Sequence, residues 1–265
     1  MNMRDVVTMN NQLSRTELIF GKDAMRKLAN AGIAIFGIGG VGGYVVEALA
    51  RSGIGTMDLF DDDVIHVTNL NRQIHATRKN IGEYKVDAAK ERILEINPDA
   101  VVNVHKLFYT KETSQQVDLG KYDYIVDAID TVSGKIELVV KADESKVSII
   151  SSMGAGNKIE TTSFEVADIY DTSVCPLARV MRKELRKRGI PKLKVVYSKE
   201  VAIPPKKRNL DECKTDCVSP IGTDRNGEGR RQVPGSNAFV PPVVGMIIAS
   251  EIVKDLTGLA GVIHN

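Results

Sequence analysis

Cysteine is scarce in this chain. Cys175, Cys213 and Cys217 are the only three in 265 residues, too few and too clustered for a disulfide framework. Long apolar runs are missing as well. The stretch from Phe239 to Ala249 holds Pro241 and Pro242 and is soon followed by Glu251. It falls well short of the ~18–20 residues that a spanning helix needs, so a buried helix is expected there. The first residues, MNMRDVVTMNNQLSR, have no apolar core of signal-peptide type, and the expected compartment is the cytoplasm, with no membrane partner. No internal repeat is visible. Neither sign of charge dominates, with 36 Lys+Arg against 34 Asp+Glu, so only the distribution of charge can speak to nucleic acid. What is present, 43% apolar and 26% charged residues, is the balance of a globular protein and excludes collagen-like and disordered classes. A chain this long buries about 70–75% of its unfolded surface and needs no covalent staples.

Strand and helix patterns alternate through the first half. Ile33–Phe36 is a short β-branched run ending in glycines, and Val41–Arg51 follows with Val45, Ala48 and Leu49 on one helical face. Thr56–Phe60 reads as a strand, Lys85–Ile96 as a helix closed by Asn97-Pro98, and Val101–Phe108 and Tyr124–Ile129 as strands. Ile136–Ala142 reads as a helix and Val147–Ser151 as a strand. Repeated βα units of this length imply an α/β fold, a doubly wound, mainly parallel sheet covered on both faces. Past about Thr161 the pattern changes. Arg179 to Arg208 carries twelve Lys/Arg against Glu184 and Glu200. Asn209–Pro234 has almost no apolar residues and is expected to be a mobile loop, and Val243–Leu256 returns as an apolar helix.

Gly37-Ile38-Gly39-Gly40-Val41-Gly42 fits G-x-G-x-x-G between a strand and a helix. Such a turn lets backbone approach a phosphate while the helix offers free N–H groups. Asp61, at the end of the next strand, can bind a ribose diol. NAD and ATP share this much. The residues beyond Asp61, LFDDDVIHVTNLNRQ and then Gly82-Glu83-Tyr84-Lys85, bring Asn69, Arg72 and Lys85 toward the phosphates. A dehydrogenase has no use for them, whereas attack on the α-phosphate of ATP builds charge that preorganised cations and Mg²⁺ stabilise. Asp130, at the end of the strand holding Asp127, suits Mg²⁺, which takes one or two protein oxygens plus substrate phosphates.

These four motifs, in this order, resemble the ThiF/MoeB/HesA superfamily, which is related to ubiquitin-activating enzymes and adenylates carboxylates with ATP. The resemblance implies that Gly37, Gly39, Gly40 and Gly42 line the phosphates and that Asp61 takes the ribose. It implies that Asn69, Arg72 and Lys85 contact the triphosphate, that Asp130 holds Mg²⁺, and that Asp63, Gln73 and Thr131 complete the ATP site. Arg15, in Ser14-Arg15-Thr16-Glu17-Leu18, resembles the arginine that dimers of this family lend to the neighbouring subunit, which implies a homodimer. The implied organisation is an N-terminal arm and helix over 1–30, a Rossmann-like ATP-binding region over 31–160, and a substrate-binding part of the same domain over 161–265.

Members that activate ubiquitin-like proteins usually carry two C-x-x-C pairs for zinc. Here Cys213 and Cys217 form a lone C-x₃-C with no nearby histidine, and a closed zinc site needs four ligands. Thr68–Ala76, Ser151–Ala155, the basic run ending Leu185-Arg186-Lys187-Arg188-Gly189, and Gly235–Pro241 are instead similar to the tRNA threonylcarbamoyladenosine dehydratase branch. That branch adenylates the threonyl carboxylate of a modified adenosine, and the neighbouring carbamoyl group then closes a ring and releases AMP. Ring closure within one substrate needs no enzyme nucleophile. The implied tRNA contacts are Arg182, Lys183, Arg186, Lys187 and Arg188, with ordinary solvated surface as the alternative. With only Tyr197 as an aromatic in this stretch, recognition by backbone and shape is expected. Activation of the C-terminal glycine of a sulfur carrier, an NAD-binding oxidoreductase and a silent scaffold are the competing readings, and a sulfur-transfer or redox partner protein is admitted. Cys175 stands where these relatives usually have Asp, which admits a thioester. Met153 and Met181 read as packing residues, His66 and His75 as frames of the pocket, and His105 as structural.

Overall fold

The computed structural model describes residues 12–204 and 234–259. Seven strands form one sheet in the order β3-β2-β1-β4-β5-β7-β6. They are β1 (Gly32–Phe36), β2 (Thr56–Phe60), β3 (Val101–His105), β4 (Tyr124–Asp127), β5 (Ser148–Ser152), β6 (Phe164–Asp168) and β7 (Lys194–Ser198). Every pairing is parallel except that of β6 with β7. Because the order turns back at β1, with β2 on one side and β4 on the other, a crevice opens beyond the carboxyl ends of β1 and β4.

The described residues form seven α-helices around the sheet: α1 (Ser14–Phe20), α2 (Lys22–Asn30), α3 (Gly42–Arg51), α4 (Lys85–Ile96), α5 (Val132–Ser145), α6 (Pro176–Lys187) and α7 (Val240–Thr257). Alternation along β1 explains the two cores. Ile33 and Ile35 face the cluster made with Leu28, Val45, Leu49, Ile93, Val244 and Ile248 of α2, α3, α4 and α7. Ala34 and Phe36 face the opposite cluster with Leu138 and Ala142 of α5. A third cluster joins α6, through Ala178, Met181 and Leu185, to Val139, Val195 and Tyr197. The C-terminal third is thus built into the same sheet, through β7 against β5. Among the described residues no helix is long and apolar enough to cross a membrane.

Element boundaries differ from the sequence patterns for local reasons. Strand β4 stops at Asp127, short of Ile129, because the Asp127 carboxylate accepts the Ile129 N–H at 3.2 Å and turns the chain. Strand β3 ends at His105, whose carbonyl accepts the Leu107 N–H at 2.9 Å. Helix α5 runs longer than Ile136–Ala142, starting at Val132 behind Thr131 and closing at left-handed Lys146. Helix α7 begins three residues before Val243, since Asn237 Oδ1 accepts the Val240 N–H at 2.8 Å and Pro241 and Pro242 fit its first turn. Strands β6 and β7 add to the sequence reading, and the segment 1–30, expected to hold one helix, holds two among the described residues, α1 and α2. Cys213, Cys217, His264 and all but Pro234 of the expected loop lie outside the described residues.

Candidate nucleotide and substrate site

Three segments meet at the crevice. The first is the glycine turn between β1 and α3. Gly37 has φ +89°, and a Cβ there would stand 2.5 Å from the Ala128 carbonyl oxygen, so only glycine lets the turn seat against the end of β4. A Cβ at Gly42 would lie 1.8 Å from the Gly37 oxygen. Gly39 and Gly40 stay partly exposed at the mouth.

Asp61 immediately follows β2, beside this turn. Its Oδ2 accepts the Ile38 N–H at 2.7 Å and its Oδ1 accepts the Asp63 N–H at 2.9 Å. One backbone donor per oxygen orients the carboxylate and leaves lone pairs for a diol. Burial pushes its pKa up, against the lowering charge of Lys85.

The second segment, 61–85, carries the cations. Lys85, at the start of α4 and only 7% exposed, sets its Nζ 2.5 Å from Asp63 Oδ2. Burial raises the Asp63 pKa, but the Lys85 hydrogen bond and charge outweigh it and hold that carboxyl below its ordinary range. His66 Nε2 lies 3.4 Å from the other oxygen of Asp63. The stem of Arg72 lies on Gly40, and its Nη1 donates to Thr68 O at 3.0 Å and Asn71 Oδ1 at 2.9 Å. Asn69 is buried and accepts the His66 N–H at 2.9 Å, so its carbonyl oxygen holds the loop in shape. Gln73 is buried with Nε2 3.9 Å from the Cβ position of Gly39, and its Oε1 has no partner among the described residues. The ring of His75 packs on Gly43 with both nitrogens unpartnered among the described residues, and burial lowers its pKa to about 4. At neutral pH it is uncharged.

The third segment is the β4–α5 turn. Asp130 is exposed at its apex and has no side-chain partner among the described residues. Thr131, the next residue, has its Oγ1 buried and unpartnered there too. A fourth contributor is hard to read from sequence. Pro241, in the first turn of α7, lies 3.1 Å from the Cβ position of Gly40, and Ser236 O accepts from Asn71 Nδ2 at 3.1 Å. The C-terminal helix therefore closes one wall of the glycine turn.

The remaining expected residues lie elsewhere. Arg15 is exposed on α1 and joins none of these contacts, and Leu18 and Ile19 on the same helix are 80% and 77% exposed. The basic side chains of α6 sit on the other half of the sheet, where Arg179, Arg182, Lys183, Arg186 and Lys187 line one shallow groove. Arg182 is turned inward onto Thr172. Arg186 stacks on Tyr170, and Lys187 and Arg188 both pair with Glu184, lowering its pKa to about 2. Cys175 is 2% exposed in the apolar cluster with Met153 and Met181, a packing position rather than that of an accessible nucleophile. His105 is structural, its Nε2 2.8 Å from buried Asp58.

Among known proteins, the sequence matches the ThiF family over residues 10–265. It is similar to the tRNA threonylcarbamoyladenosine dehydratase of Bacillus subtilis (strain 168), 42% identical over 248 residues that cover 93% of this chain and 94% of the relative. The fold superposes on the crystal structure of E. coli tRNA N6-threonylcarbamoyladenosine dehydratase, TcdA, in complex with AMP. There the TM-score is 0.81 at 31% identity, covering 96% of this chain and 99% of that one. For the same E. coli protein in complex with ATP the TM-score is 0.78 at 31% identity, with coverage of 95% and 96%.

Proposed function

This chain belongs to the ThiF family, and from that premise we propose that it is an ATP-dependent tRNA threonylcarbamoyladenosine dehydratase. The threonyl carboxylate of the modified nucleoside attacks the α-phosphorus of ATP, and pyrophosphate leaves. The carbamoyl group then attacks the acyl carbon of the adenylate, AMP departs with one carboxylate oxygen, and the net change in the nucleoside is loss of water. The observation that carries this reading is the convergence of Arg72 and the Asp63–Lys85 pair on a glycine turn whose neighbouring carboxylate, Asp61, is already oriented by backbone donors. A nicotinamide dinucleotide would leave both cations without a task.

Each side chain has a chemical role in this reading. Gly39, Gly40 and Gly42 cradle the phosphates at the start of α3, and Asp61 takes the ribose diol. Arg72 and Lys85 stabilise the charge that develops at the α-phosphate and on leaving pyrophosphate. Asp63 aims Lys85, Asn69 and Gln73 shape the pocket floor, and Thr131 adds a hydroxyl beside Asp130. Arg15, on the helix with exposed Leu18 and Ile19, reaches the ATP of a second copy in a homodimer.

Mg²⁺ fits the donor set. Asp130 offers one exposed carboxylate, and the described residues hold no group of three or more His, Cys, Asp and Glu placed to bind a metal alone. That suits a hard ion brought in on the triphosphate and steadied by a single protein oxygen, where it would neutralise phosphate charge. The exposed cations of α6 bind the tRNA backbone, and the substrate fits the cytoplasmic compartment.

The test incubates the protein with ATP, Mg²⁺ and tRNA bearing threonylcarbamoyladenosine and then weighs the nucleosides. Loss of one water with stoichiometric AMP is expected. An unchanged nucleoside, with ATP turnover only on addition of a small glycine-tailed carrier protein, would move the chain to sulfur-carrier activation.

A further inference from the structure

Beneath the Asp130 turn lies an ion pair that the reaction does not use. Lys135 and Asp127 are 1% and 0% exposed, with Nζ 3.0 Å from Oδ2. Among the described residues no other ion pair is so completely buried on both sides. Ser151 of β5 completes it, donating its hydroxyl to Asp127 Oδ2 at 2.5 Å and standing 3.3 Å from Lys135 Nζ. Replacing a buried pair by apolar groups of the same volume is often neutral or stabilising, so stability alone does not account for it.

Its geometry does. The pair joins β4, β5 and α5, with Ser151, at the base of the turn from Ala128 to Thr131, between the end of β4 and the first turn of α5. Asp127 Oδ1 accepts the Ile129 N–H at 3.2 Å and Lys135 Nζ lies 3.5 Å from Asp127 O, while the backbone of Lys135 makes the first bond of α5, its N–H donating to Thr131 O at 3.1 Å. The Ala128 carbonyl, inside that span, is the atom against which Gly37 seats. Asp130 is the one exposed residue of the turn. We propose that Asp127 and Lys135, with Ser151, are positioning residues that hold the Asp130 carboxylate at the triphosphate. The inference rests on the assignment of Asp130 to Mg²⁺. Partners that orient a ligand from behind typically change metal affinity when removed, without touching the metal.

The test uses the full-length protein and follows equilibrium binding of a fluorescent non-hydrolysable ATP analogue as Mg²⁺ is titrated, alongside the same binding in EDTA and a thermal melt. Lys135→Met should raise the Mg²⁺ concentration for half-maximal binding about tenfold and leave the affinity in EDTA unchanged. Ser151→Ala keeps the ion pair, and its expected shift is about threefold in the same direction. It serves as the reading if Lys135→Met does not fold. Asp130→Asn runs beside them. A lowered melt with a Mg²⁺ curve that superimposes on wild type, or an equal loss of affinity with and without Mg²⁺, overturns the positioning role. If Asp130→Asn also superimposes, the metal assignment falls as well; if Asp130→Asn shifts, the positioning role falls alone.

Discussion

Arg72 lies along Gly40, its Cγ and Cδ 3.3 and 3.4 Å from the place where a Cβ on that glycine would stand. A motif glycine and a motif arginine 32 positions apart are thereby one structural unit, and Pro241 Cβ lies 3.1 Å from the same Cβ position. A Cβ in Gly40→Ala would meet the rigid Pro241 ring first, at 3.1 Å, and then the flexible Arg72 stem, so the arginine is displaced and α7 must yield by a few tenths of an ångström. The expected result is a kcat/KM for ATP reduced by about 10–100-fold, or ~1.4–2.7 kcal/mol of transition-state stabilisation, with a modest fall in melting temperature from the Pro241 contact. Arg72→Ala should lose more, about 100–1000-fold in kcat, because among the described residues the guanidinium bonds only to Thr68 and Asn71 of its own segment and so is not needed to hold distant parts of the fold. AMP formation against ATP concentration, together with a melt, checks both. Normal turnover of Arg72→Ala would remove it from the α-phosphate.

Lys85 is a buried residue with a carboxylate partner, so its replacement is not the innocuous surface change that its position in the sequence suggests. Lys85→Met should abolish adenylation and also lower stability at neutral pH. The held-down pKa of Asp63 contributes stability that is present above the ordinary carboxylate range and lost as pH falls through the folded-state value. In the variant that acid-limb loss should shrink. Asp63→Asn should keep ATP binding yet lower kcat about tenfold, since Lys85 loses its aim.

His75 predicts a second pH dependence. Its folded pKa of about 4 lies below the ordinary 6.5, so the unfolded chain binds the proton more readily. Stability should rise with pH between about 4 and 6.5 and fall by roughly 3 kcal/mol as the pH is lowered across that window. His75→Phe should flatten this limb in melts run from pH 4 to 7. A limb of unchanged steepness would show that the ring is not buried uncharged.

Not all the cations of α6 are equally available. Lys187 and Arg188 are engaged with Glu184, and Arg182 with Thr172. Arg179 and Lys183 are exposed, and neither has a side-chain partner among the described residues. Arg179→Glu and Lys183→Glu should therefore weaken tRNA binding more than Lys187→Glu, each lowering the slope of log Kd against log salt by about one. Equal or absent effects would leave the helix as ordinary basic surface.

Within the glycine turn the cost should depend on position. Gly42→Ala places a Cβ 1.8 Å from the Gly37 oxygen, whereas at Gly39 the nearest atom is the flexible end of Gln73 at 3.9 Å. The first should destabilise by several kcal/mol, roughly 3 or more, and the second should leave the melt in place while altering ATP affinity.

The βα alternation, the glycine turn, Asp61 just after β2 and the basic run were legible in the sequence, because these depend on short-range order: a period of two or 3.6, a turn that admits only glycine, or a local run of one charge. The sequence also named Arg72, Lys85 and Asp130. Tertiary structure decided what those residues touch. That Lys85 is buried against Asp63, that Pro241 closes the turn from about 200 residues away, and that Lys135, Asp127 and Ser151 meet at the base of the Asp130 turn are consequences of how the elements assemble, whereas the pairs of Lys187 and Arg188 with Glu184 are local, three and four residues apart along α6. Periodicity reports which face of an element is apolar. It carries no information on which distant element that face will meet, and a lysine in an amphipathic helix reads as solvent-facing until β4 and β5 are placed beneath it.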